Sequence, residues 1–308
     1  MIRFALRRLL TAGPTLWLLI TVAFFMIRLT PGGPFDQERA LPPEIEANIK
    51  AHYHLDEPLI VQYGRYLGAV ARLDFGPSFA YRDWTVNDLI AAGFPVSALL
   101  GALAVGAALI LGTLAGAAAA LRQNRAADHT LMAFAMSGIS VPNFVVGPLL
   151  ILLFALHLHW LPAGGWSGAR RELILPVTTL ALPLIAYIAR LTRASLLEVL
   201  NSNYIRAARA RGLTMRQVIV RHALKPAALP VLSFLGPAIA GVLTGSVVIE
   251  RIFSIPGLGG HFVQGALNRD YTLVLGVVVF YGMLIIVLNF IVDLLYAWLD
   301  PLIRYDRR

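Results

Sequence analysis

The chain has 308 residues, of which 58% are hydrophobic and 14% are charged, and its mean hydropathy is +0.71. A soluble domain of this length carries far more surface charge, so the composition excludes an ordinary soluble protein and indicates an integral membrane protein. The net charge is +9, but the basic residues are divided among loops that flank apolar stretches, which argues against nucleic-acid binding. The absence of cysteine excludes disulfides, thiolate metal sites and a thiol nucleophile.

Six apolar stretches follow one another along the chain, each at or near the ~20 residues that a helix needs to cross a bilayer. None alternates polar and apolar residues with a period of two, so all six are predicted to be helices and not barrel strands. The fold class is therefore an all-α membrane protein with six spans. The predicted spans are Leu9–Ile27, Phe94–Leu121, Thr130–Leu156, Leu173–Ala189 with an extension beyond Arg190, Pro226–Ile249 and Tyr271–Leu299.

The placement of lysine and arginine predicts which side of the membrane each loop faces, because cytoplasmic loops carry an excess of both. Arginines precede the first span, and a long basic run from Arg190 to Lys225 lies between the fourth and fifth spans. The short loops on the opposite side carry few basic residues. We therefore predict that both termini lie in the cytoplasm, with the first span as an uncleaved anchor.

Residues 30–93 form one long insertion, predicted to lie on the outer side. It contains two helical patterns, Pro43–Tyr53 and Pro58–Leu73. The second pattern places these residues on one face: Leu59, Tyr63, Tyr66, Leu67 and Val70. The insertion is either a cap on the membrane domain or a docking surface for an extracytoplasmic partner, and the sequence leaves both interpretations open.

Small residues and prolines punctuate the spans. Glycines in the second span, among them Gly101, Gly106, Gly112 and Gly116, predict a face for close helix packing. Prolines in the third, fourth and fifth spans each free a backbone carbonyl and permit a kink. We find no internal repeat, which weakens the interpretation as a secondary transporter built from inverted repeats.

The loop at 198–225 carries clear helix boundaries. Ser202 or Asn203 can cap a short helix that runs through Ala210, and Gly212 follows where a left-handed residue is needed. Thr214-Met-Arg-Gln217 fits a capping box that begins a second helix through Leu224. Pro226 then opens the fifth span, so both short helices are predicted to lie across the cytoplasmic face. The arginines of this loop either touch anionic lipid headgroups or dock a soluble motor subunit.

The spacing within this loop resembles a known signature. Ala207-Ala208 with Gly212 four residues later is similar to the "EAA" signature of the membrane subunits of bacterial ATP-driven (ABC) importers. In that family the signature forms the coupling helix that meets the ATPase. Three positions depart from the general pattern, where Arg206, His222 and Lys225 replace an acidic residue, an isoleucine and a proline. These departures are usual in the peptide-importer branch.

Further blocks along nearly the whole chain resemble the same branch. The pair Pro256-Gly-Leu-Gly259 and Arg269-Asp-Tyr271 is highly specific. Three smaller details resemble most the B-type permease subunit of oligopeptide importers: Leu41-Pro-Pro43, Val86-Asn-Asp88 and Asn201-Ser-Asn203. The resemblance implies one permease domain over residues 1–308, in the bacterial inner membrane, with the fold of type I ABC importers.

The resemblance also implies partners and a mechanism. The partners are a homologous C-type permease, two ABC ATPase subunits and a periplasmic peptide-binding protein. ATP and Mg²⁺ would bind to the ATPase subunits, and this chain would hold no cofactor. Motion of the ATPases would move the Ser202–Leu213 helix and so open a peptide path between the two permeases. The residues expected to couple to the ATPase are Tyr204, Arg206, Ala207, Ala208, Arg209, Arg211, Gly212 and Leu213.

Four polar residues in or near the spans are candidates for the transport path: Asn143, Glu250, Asn289 and Asp293. Asp293 is the only acidic residue well inside a predicted span, where a charge normally faces a partner or water. No metal site is predicted, because His157 and His159 are two residues apart and lack a third ligand nearby.

Enzymatic chemistry finds no support in the sequence. Lys50 and Lys225 are the only lysines, and neither lies in a Gly-x4-Gly-Lys loop that could hold ATP. The alternatives within the same class are importers of dipeptides, nickel or other small solutes. From other classes, an ATP-independent channel or proton-coupled carrier is disfavoured by the poverty of intramembrane ionisable residues. An intramembrane hydrolase lacks a nucleophile–base pair.

Overall fold

The computed structural model describes residues 2–29 and 54–299. Their helices are α1 (Ile2–Leu29), α2 (Leu59–Val70), α3 (Val86–Leu121), α4 (Ala126–Ser140), α5 (Asn143–Leu150), α6 (Ile174–Leu200), α7 (Asn203–Ala210), α8 (Met215–Val218), α9 (Leu224–Ile252), α10 (Leu258–Leu267) and α11 (Tyr271–Leu299). Two π-helical segments, Ile151–His157 and Ile219–Ala223, continue α5 and α8, and a 3₁₀ turn, Arg170–Leu173, precedes α6. The predicted helix Pro43–Tyr53 lies outside the described residues.

Five helical runs are long and apolar enough to cross a membrane, and a sixth candidate is a bent pair of helices. The five runs are Leu10–Leu29, Val86–Leu121, Arg170–Leu200, Met215–Ile252 and Tyr271–Tyr296. The prediction of an all-helical membrane protein with six apolar segments is thereby confirmed, with the third segment as the exception in shape.

The predicted third span, Thr130–Leu156, is not one straight helix. It breaks into Ala126–Ser140 and Asn143–His157, and the helix axis bends by 105° between them. The break falls at Val141 and Pro142, whose ψ angles of 123° and 141° are extended. Proline lacks an N–H and disfavours helical geometry at the residue before it, so Pro142 ends α4. Pro148 lies inside α5 without ending it.

The second predicted helix of the 198–225 loop is also different. It does not end before Pro226 but runs on without a break from Met215 to Ile252. The π-helical turn Ile219–Ala223 ends three residues before the proline and widens the helix there. Pro226 leaves the carbonyl of His222, four residues earlier, without its helical donor, and the Tyr204 hydroxyl lies 3.5 Å from that oxygen. The prediction that this helix lies apart from the fifth span was wrong.

The chain forms two compact units. The first contains Ser97–Ile255 and the described residues from Ile285 onward. Within it, α3 packs closely on α6 because glycine leaves room for the neighbouring backbone. A Cβ at Gly116 would lie 2.3 Å from the carbonyl oxygen of Ala189, and one at Gly112 would lie 2.8 Å from Cβ of Ile188. The predicted packing role holds at these two glycines, whereas Gly106 has nothing within 4 Å of its Cβ position.

The second unit contains the described residues between 6 and 96 and Pro256–Leu284. Its turn before α3 is held by Asp270, a fully buried carboxylate. One carboxylate oxygen accepts hydrogen bonds from the Ser78 hydroxyl and from the N–H groups of Phe79 and Ala80, the last two at 3.0 Å. The other accepts from the N–H of Leu273 at 3.0 Å, at the beginning of α11. Asp270 therefore ties the turn to the first turn of the last span.

Helix α2 belongs to the same unit and packs on α1. The Tyr63 hydroxyl lies 2.6 Å from Thr21 Oγ1, and Phe24 lies between the rings of Tyr63 and Tyr66, with centroids 5.4 Å and 5.9 Å away. The predicted packing face is rotated slightly in the structure. Leu59 is 40% exposed, while Gln62 is buried. The apolar pattern did not reveal Gln62, a polar residue whose amide nitrogen donates to the carbonyls of Leu55 and Glu57.

Candidate coupling surface and transport cavity

Helix α7 begins directly after α6. Ser202 occupies the N-cap position with an extended backbone, ψ 157°, and its carbonyl accepts the first hydrogen bond of α7 from the N–H of Arg206. Its hydroxyl does not cap α7 but donates to the carbonyl of Val199 at 2.6 Å. Asn203 Oδ1 accepts from the Arg206 guanidinium. The predicted start of the helix is thus confirmed, and the predicted side-chain cap is absent.

The C-terminal end of α7 has the geometry that the sequence predicts. Gly212 has φ +84°, in the left-handed region that glycine adopts without strain. The N–H of Gly212 donates to the carbonyl of Arg209 at 3.0 Å, and the N–H of Leu213 donates to that of Ala208 at 3.4 Å. This pair of bonds is a Schellman motif, which satisfies carbonyls that the end of a helix leaves open.

The next helix starts with the predicted capping box. The N–H of Gln217 donates to Thr214 Oγ1 at 3.4 Å, and the N–H of Thr214 donates to Gln217 Oε1 at 3.0 Å. Two reciprocal bonds satisfy donors that the first turn of a helix leaves open. The chain direction therefore changes between α7 and α8 through two locally determined turns, only two residues apart.

One side chain anchors α7 to the first unit. Ile205 is 1% exposed and lies in a cluster of buried apolar residues. The other buried members of the cluster are Ala120, Leu196, Val218, Ala223 and Ala227. Ala120 ends α3, Leu196 belongs to α6, and Val218 and Ala223 belong to the helical run that becomes α9. Ile205 therefore packs on the cytoplasmic ends predicted for three spans at once.

Ile205 is not among the residues predicted from the sequence to take part in coupling. The signal was present, since it is the only aliphatic side chain larger than alanine in Asn203–Ala210. A lone apolar residue in a polar, eight-residue helix marks the face by which that helix packs. The arginines predicted for coupling and Ala207 are exposed, whereas Ala208 packs against the same cluster.

The predicted coupling residues divide into two groups. Ala208 and Leu213 are half-buried and pack against the Ile205 cluster. The remaining six are exposed: Tyr204, Arg206, Ala207, Arg209, Arg211 and Gly212. The exposed group forms a surface of small residues surrounded by arginines, with no acidic residue anywhere in 199–225. Such a surface is complementary to an acidic groove on a partner protein.

A charged pair ties the neighbouring turn to the helix that leads into α7. The Arg193 guanidinium donates from Nε to Asp128 Oδ1 at 2.6 Å and from Nη2 to Oδ2 at 2.7 Å. Asp128 Oδ2 also accepts from the N–H of Asn124 at 3.0 Å. The Asp128 side chain is 1% exposed. This pair was not predicted from the sequence, because the two partners are 65 residues apart and no local pattern connects them.

A cavity of about 250 Å³ lies in the first unit, lined by residues of α5, α6 and α9. Asn143, beside the 105° bend, is the one path candidate in its lining. The other lining residues are Leu180, Pro183, Leu184, Tyr187, Phe234, Pro237, Ala238, Gly241 and Val242. The wall is thus mainly apolar, with an amide and a tyrosine as its polar side chains.

The other three path candidates are not part of this lining. Glu250 is completely buried near the end of α9, and Asp293 is half-buried in α11. Asn289 lies against Gly236, where an added Cβ would be 2.2 Å from Asn289 Oδ1. Its amide therefore has a packing role. Within residues 2–29 and 54–299, no three His, Asp or Glu side chains come together as a metal site.

The apolar helices define an integral membrane protein that crosses the bilayer several times. The chain belongs to the family of binding-protein-dependent transport system inner membrane components, whose pattern matches residues 108–305. It is thus a multi-pass protein of the inner membrane and a permease component of an ABC transport system. This family membership accounts for the absence of ATP-binding motifs, since the permease component is not itself the ATPase.

Its relatives are similar along the whole chain. The oligopeptide transport system permease protein OppB of Salmonella typhimurium is 60% identical, over 99% of this chain and 100% of that protein. OppB of Escherichia coli K12 is 59% identical over the same shares. The dipeptide transport system permease protein DppB of Bacillus subtilis is 43% identical, over 100% of both chains.

A solved structure shows the same fold. A chain of the MetNI methionine ABC transporter, in an inward-facing conformation, superposes with a TM-score of 0.56 at 18% sequence identity. The match covers 69% of this chain and 96% of that chain. The likeness therefore establishes the helical arrangement of an ABC importer permease, and it does not identify the transported molecule.

Proposed function

We propose that this chain is the transmembrane subunit of an importer that moves oligopeptides from the periplasm to the cytoplasm, driven by ATP hydrolysis on separate subunits. The identity of 60% to an oligopeptide permease, against 43% to a dipeptide permease, carries the choice of cargo. Both matches run the length of the chain, so the two identities refer to nearly the same residues. The partners are a homologous permease, two ATPase subunits and a periplasmic peptide-binding protein.

Coupling to the ATPase occurs through α7. The exposed face of α7 offers alanines, Gly212 and three arginines, a surface that admits close approach and attracts acidic groups. Ile205 holds the opposite face in the cluster formed by the ends of α3 and α6 and the start of the α9 run. A displacement of α7 by the motor therefore acts on all three helices, because close-packed interiors transmit strain.

The peptide path passes beside the bend between α4 and α5. Asn143 begins α5 at this bend and lines the 250 Å³ cavity, where its amide can hydrogen-bond a peptide backbone. The apolar wall around it, with Tyr187 and Phe234, accepts side chains of varied shape. A site of this kind suits a cargo class that shares a backbone and differs in its side chains.

Both termini lie in the cytoplasm in this proposal, as the positive-inside rule predicts. Because the chain has no cysteine, the orientation can be tested by introducing single cysteines, with no labelling of native thiols in this chain. Gln123→Cys, in the exposed turn between α3 and α4, should react with a membrane-impermeant maleimide only after the membrane is opened. Ala169→Cys, exposed before α6, should react in intact spheroplasts. The reverse pattern would invert the topology.

The transport function is tested by ATP hydrolysis in proteoliposomes that contain this chain, its partner permease, the two ATPases and the binding protein. We expect stimulation by peptides of three or more residues, and loss of the stimulation when this chain is omitted. Stimulation by dipeptides or nickel alone would support an ATP-driven importer but would contradict oligopeptides as its cargo. Transport by this chain without ATP would refute the assignment.

A further inference from the structure

A second cavity of about 250 Å³ lies in the second unit and has no role in the proposed transport path. It is lined by the end of α1, by α2, by the turn before α3 and by the first turn of α11. The apolar runs of the two spanning helices end and begin here, at Leu29 and Tyr271. The cavity is therefore at the level where a bilayer changes from hydrocarbon to headgroups.

The charge inside this cavity is positive. Among the described residues that line it none is acidic, and the basic ones are Arg28, Arg65 and His54. Glu57 neutralises Arg65, because Arg65 Nη2 lies 2.6 Å from Glu57 Oε1. The same Glu57 oxygen lies 3.3 Å from His54 Nδ1. Arg28 has no carboxylate or hydrogen-bond partner in the described part of the chain. Its guanidinium lies over the Phe24 ring, 5.5 Å from the centroid.

Two buried polar atoms belong to residues that line the same cavity and have no hydrogen-bond partner in the described part of the chain. They are the Tyr66 hydroxyl and Gln62 Oε1. Burial raises the pKa of the Tyr66 hydroxyl, so this group stays protonated and able to donate. A buried donor without an acceptor is costly, and a ligand oxygen at this position would remove that cost. Arg28 and Tyr66 thus both line one space, and each carries a donor without a partner in the described residues.

The apolar surroundings indicate what kind of anion the cavity takes. The lining beside Arg28 is mainly apolar, with Phe24, Ile27 and Leu275 among its side chains, and it lies where two apolar spans end. We propose that the cavity holds the phosphate of a phospholipid, with the Arg28 guanidinium and the Tyr66 hydroxyl as its donors and the acyl chains against the apolar ends of α1 and α11. Arginine is suited to phosphate because its donors form a planar fork.

The test uses the full-length chain, extracted in mild detergent and washed, with bound phospholipid counted by native mass spectrometry. The wild type should retain a phospholipid that Arg28→Gln loses by about fivefold or more, the effect of one arginine at a membrane surface. Arg28→Lys should be intermediate, and Tyr66→Phe should show a smaller loss. Arg72→Gln removes an exposed charge just beyond α2 and should retain lipid as the wild type does.

Melting temperatures of all variants are measured in parallel, so that a loss of fold is recognised. Equal retention by Arg28→Gln and the wild type, or an equal loss in Arg72→Gln, would overturn the proposal. Displacement of the lipid by millimolar inorganic phosphate would show an anion site that does not select lipid. Displacement by a tripeptide, but not by its C-terminally amidated form, would assign the cavity to a peptide carboxylate instead.

Discussion

Arg193 and Asp128 join two parts of the chain through a bidentate ion pair, with the two nitrogen–oxygen distances at 2.6 Å and 2.7 Å. Asp128 stands at the start of α4, and Arg193 is seven residues before the end of α6, from which α7 follows. The pair therefore fixes the turn between α3 and α4 against the helix that leads into the coupling surface. Its position makes it a positioning element for that surface, not a contact with cargo.

Asp128→Asn and Arg193→Gln should each reduce peptide-stimulated ATP hydrolysis more than basal hydrolysis. The reason is that α6 loses its tie to the neighbouring turn while the ATPase itself is unchanged. The double variant should be no worse than either single one, because residues in one pair are not additive. The measurement is the ratio of stimulated to basal hydrolysis in proteoliposomes. Arg190→Gln, an exposed arginine on the same helix, is the control, and an equal effect there would contradict the prediction.

Ile205→Ala should uncouple ATP hydrolysis from peptide uptake. Removing a fully buried isoleucine costs about 3 kcal/mol and leaves a cavity under α7, so the helix can move without moving the spans. Uptake per ATP hydrolysed should fall while the ATPase remains active. Val220→Ala is the matched control, since Val220 is 61% exposed in the same region. A normal uptake ratio in Ile205→Ala would show that the cluster is not the connection.

Gly212→Val should impair coupling through backbone strain alone. The position has φ +84°, and nothing lies within 4 Å of an added Cβ, so steric contact is not the reason. A β-branched residue in left-handed geometry costs about 1–2 kcal/mol or more, whereas asparagine tolerates that geometry. Peptide uptake should therefore fall in Gly212→Val and be largely kept in Gly212→Asn. Equal defects in both variants would mean that contact with a partner requires the missing side chain.

Gly116→Ala should destabilise the first unit. The added methyl would meet the Ala189 carbonyl oxygen at 2.3 Å, so α3 and α6 would have to separate. Overpacking of this kind costs about 1–3 kcal/mol. Gly106→Ala, in the same helix with open space, should be neutral. Thermal unfolding in detergent, followed by fluorescence-detected size exclusion, compares the two variants, and equal melting temperatures would refute the packing argument.

Asp270→Asn should destabilise the second unit. Asp270 accepts bonds from four donors, and an amide nitrogen would face some of those donors with a donor of its own. The loss of charge-assisted bonds costs about 3 kcal/mol. Limited proteolysis in the 77–85 turn is the measurement, with faster cleavage expected in the variant. Asp83→Asn, an exposed residue of the same turn, serves as the comparison and should be cleaved at the wild-type rate.

The existence and order of the apolar segments could be predicted because a bilayer imposes a length and a composition on each helix. The last span, Tyr271–Leu299, agrees at both ends with the helix observed. The turn after α7 was equally predictable, since Gly212 and the Thr214–Gln217 box act through bonds to residues at most five positions away. Such bonds depend on local sequence, so residue types at fixed spacing are sufficient to identify them.

Two features were harder to predict, and for the same reason: the bend between α4 and α5, and the continuous helix from Met215 to Ile252. Pro142 and Pro226 look alike in the sequence, each a proline in or at an apolar stretch. The first ends a helix, and the second lies within one, because a π-helical turn before Pro226 widens the helix. Whether a proline breaks a helix depends on how the freed carbonyl is satisfied, and for His222 the nearby group is Tyr204, eighteen residues away.

By itself the sequence determined the membrane class, the apolar segments, the turn after α7 and, through its blocks, the family. These properties depend on hydropathy and on bonds between near neighbours. Only the tertiary structure decided that Ile205 anchors α7, that Asp128 pairs with Arg193 and that Arg28 shares a cavity with Tyr66. Each of these contacts joins residues from separate helices, and their juxtaposition arises only when the helices pack.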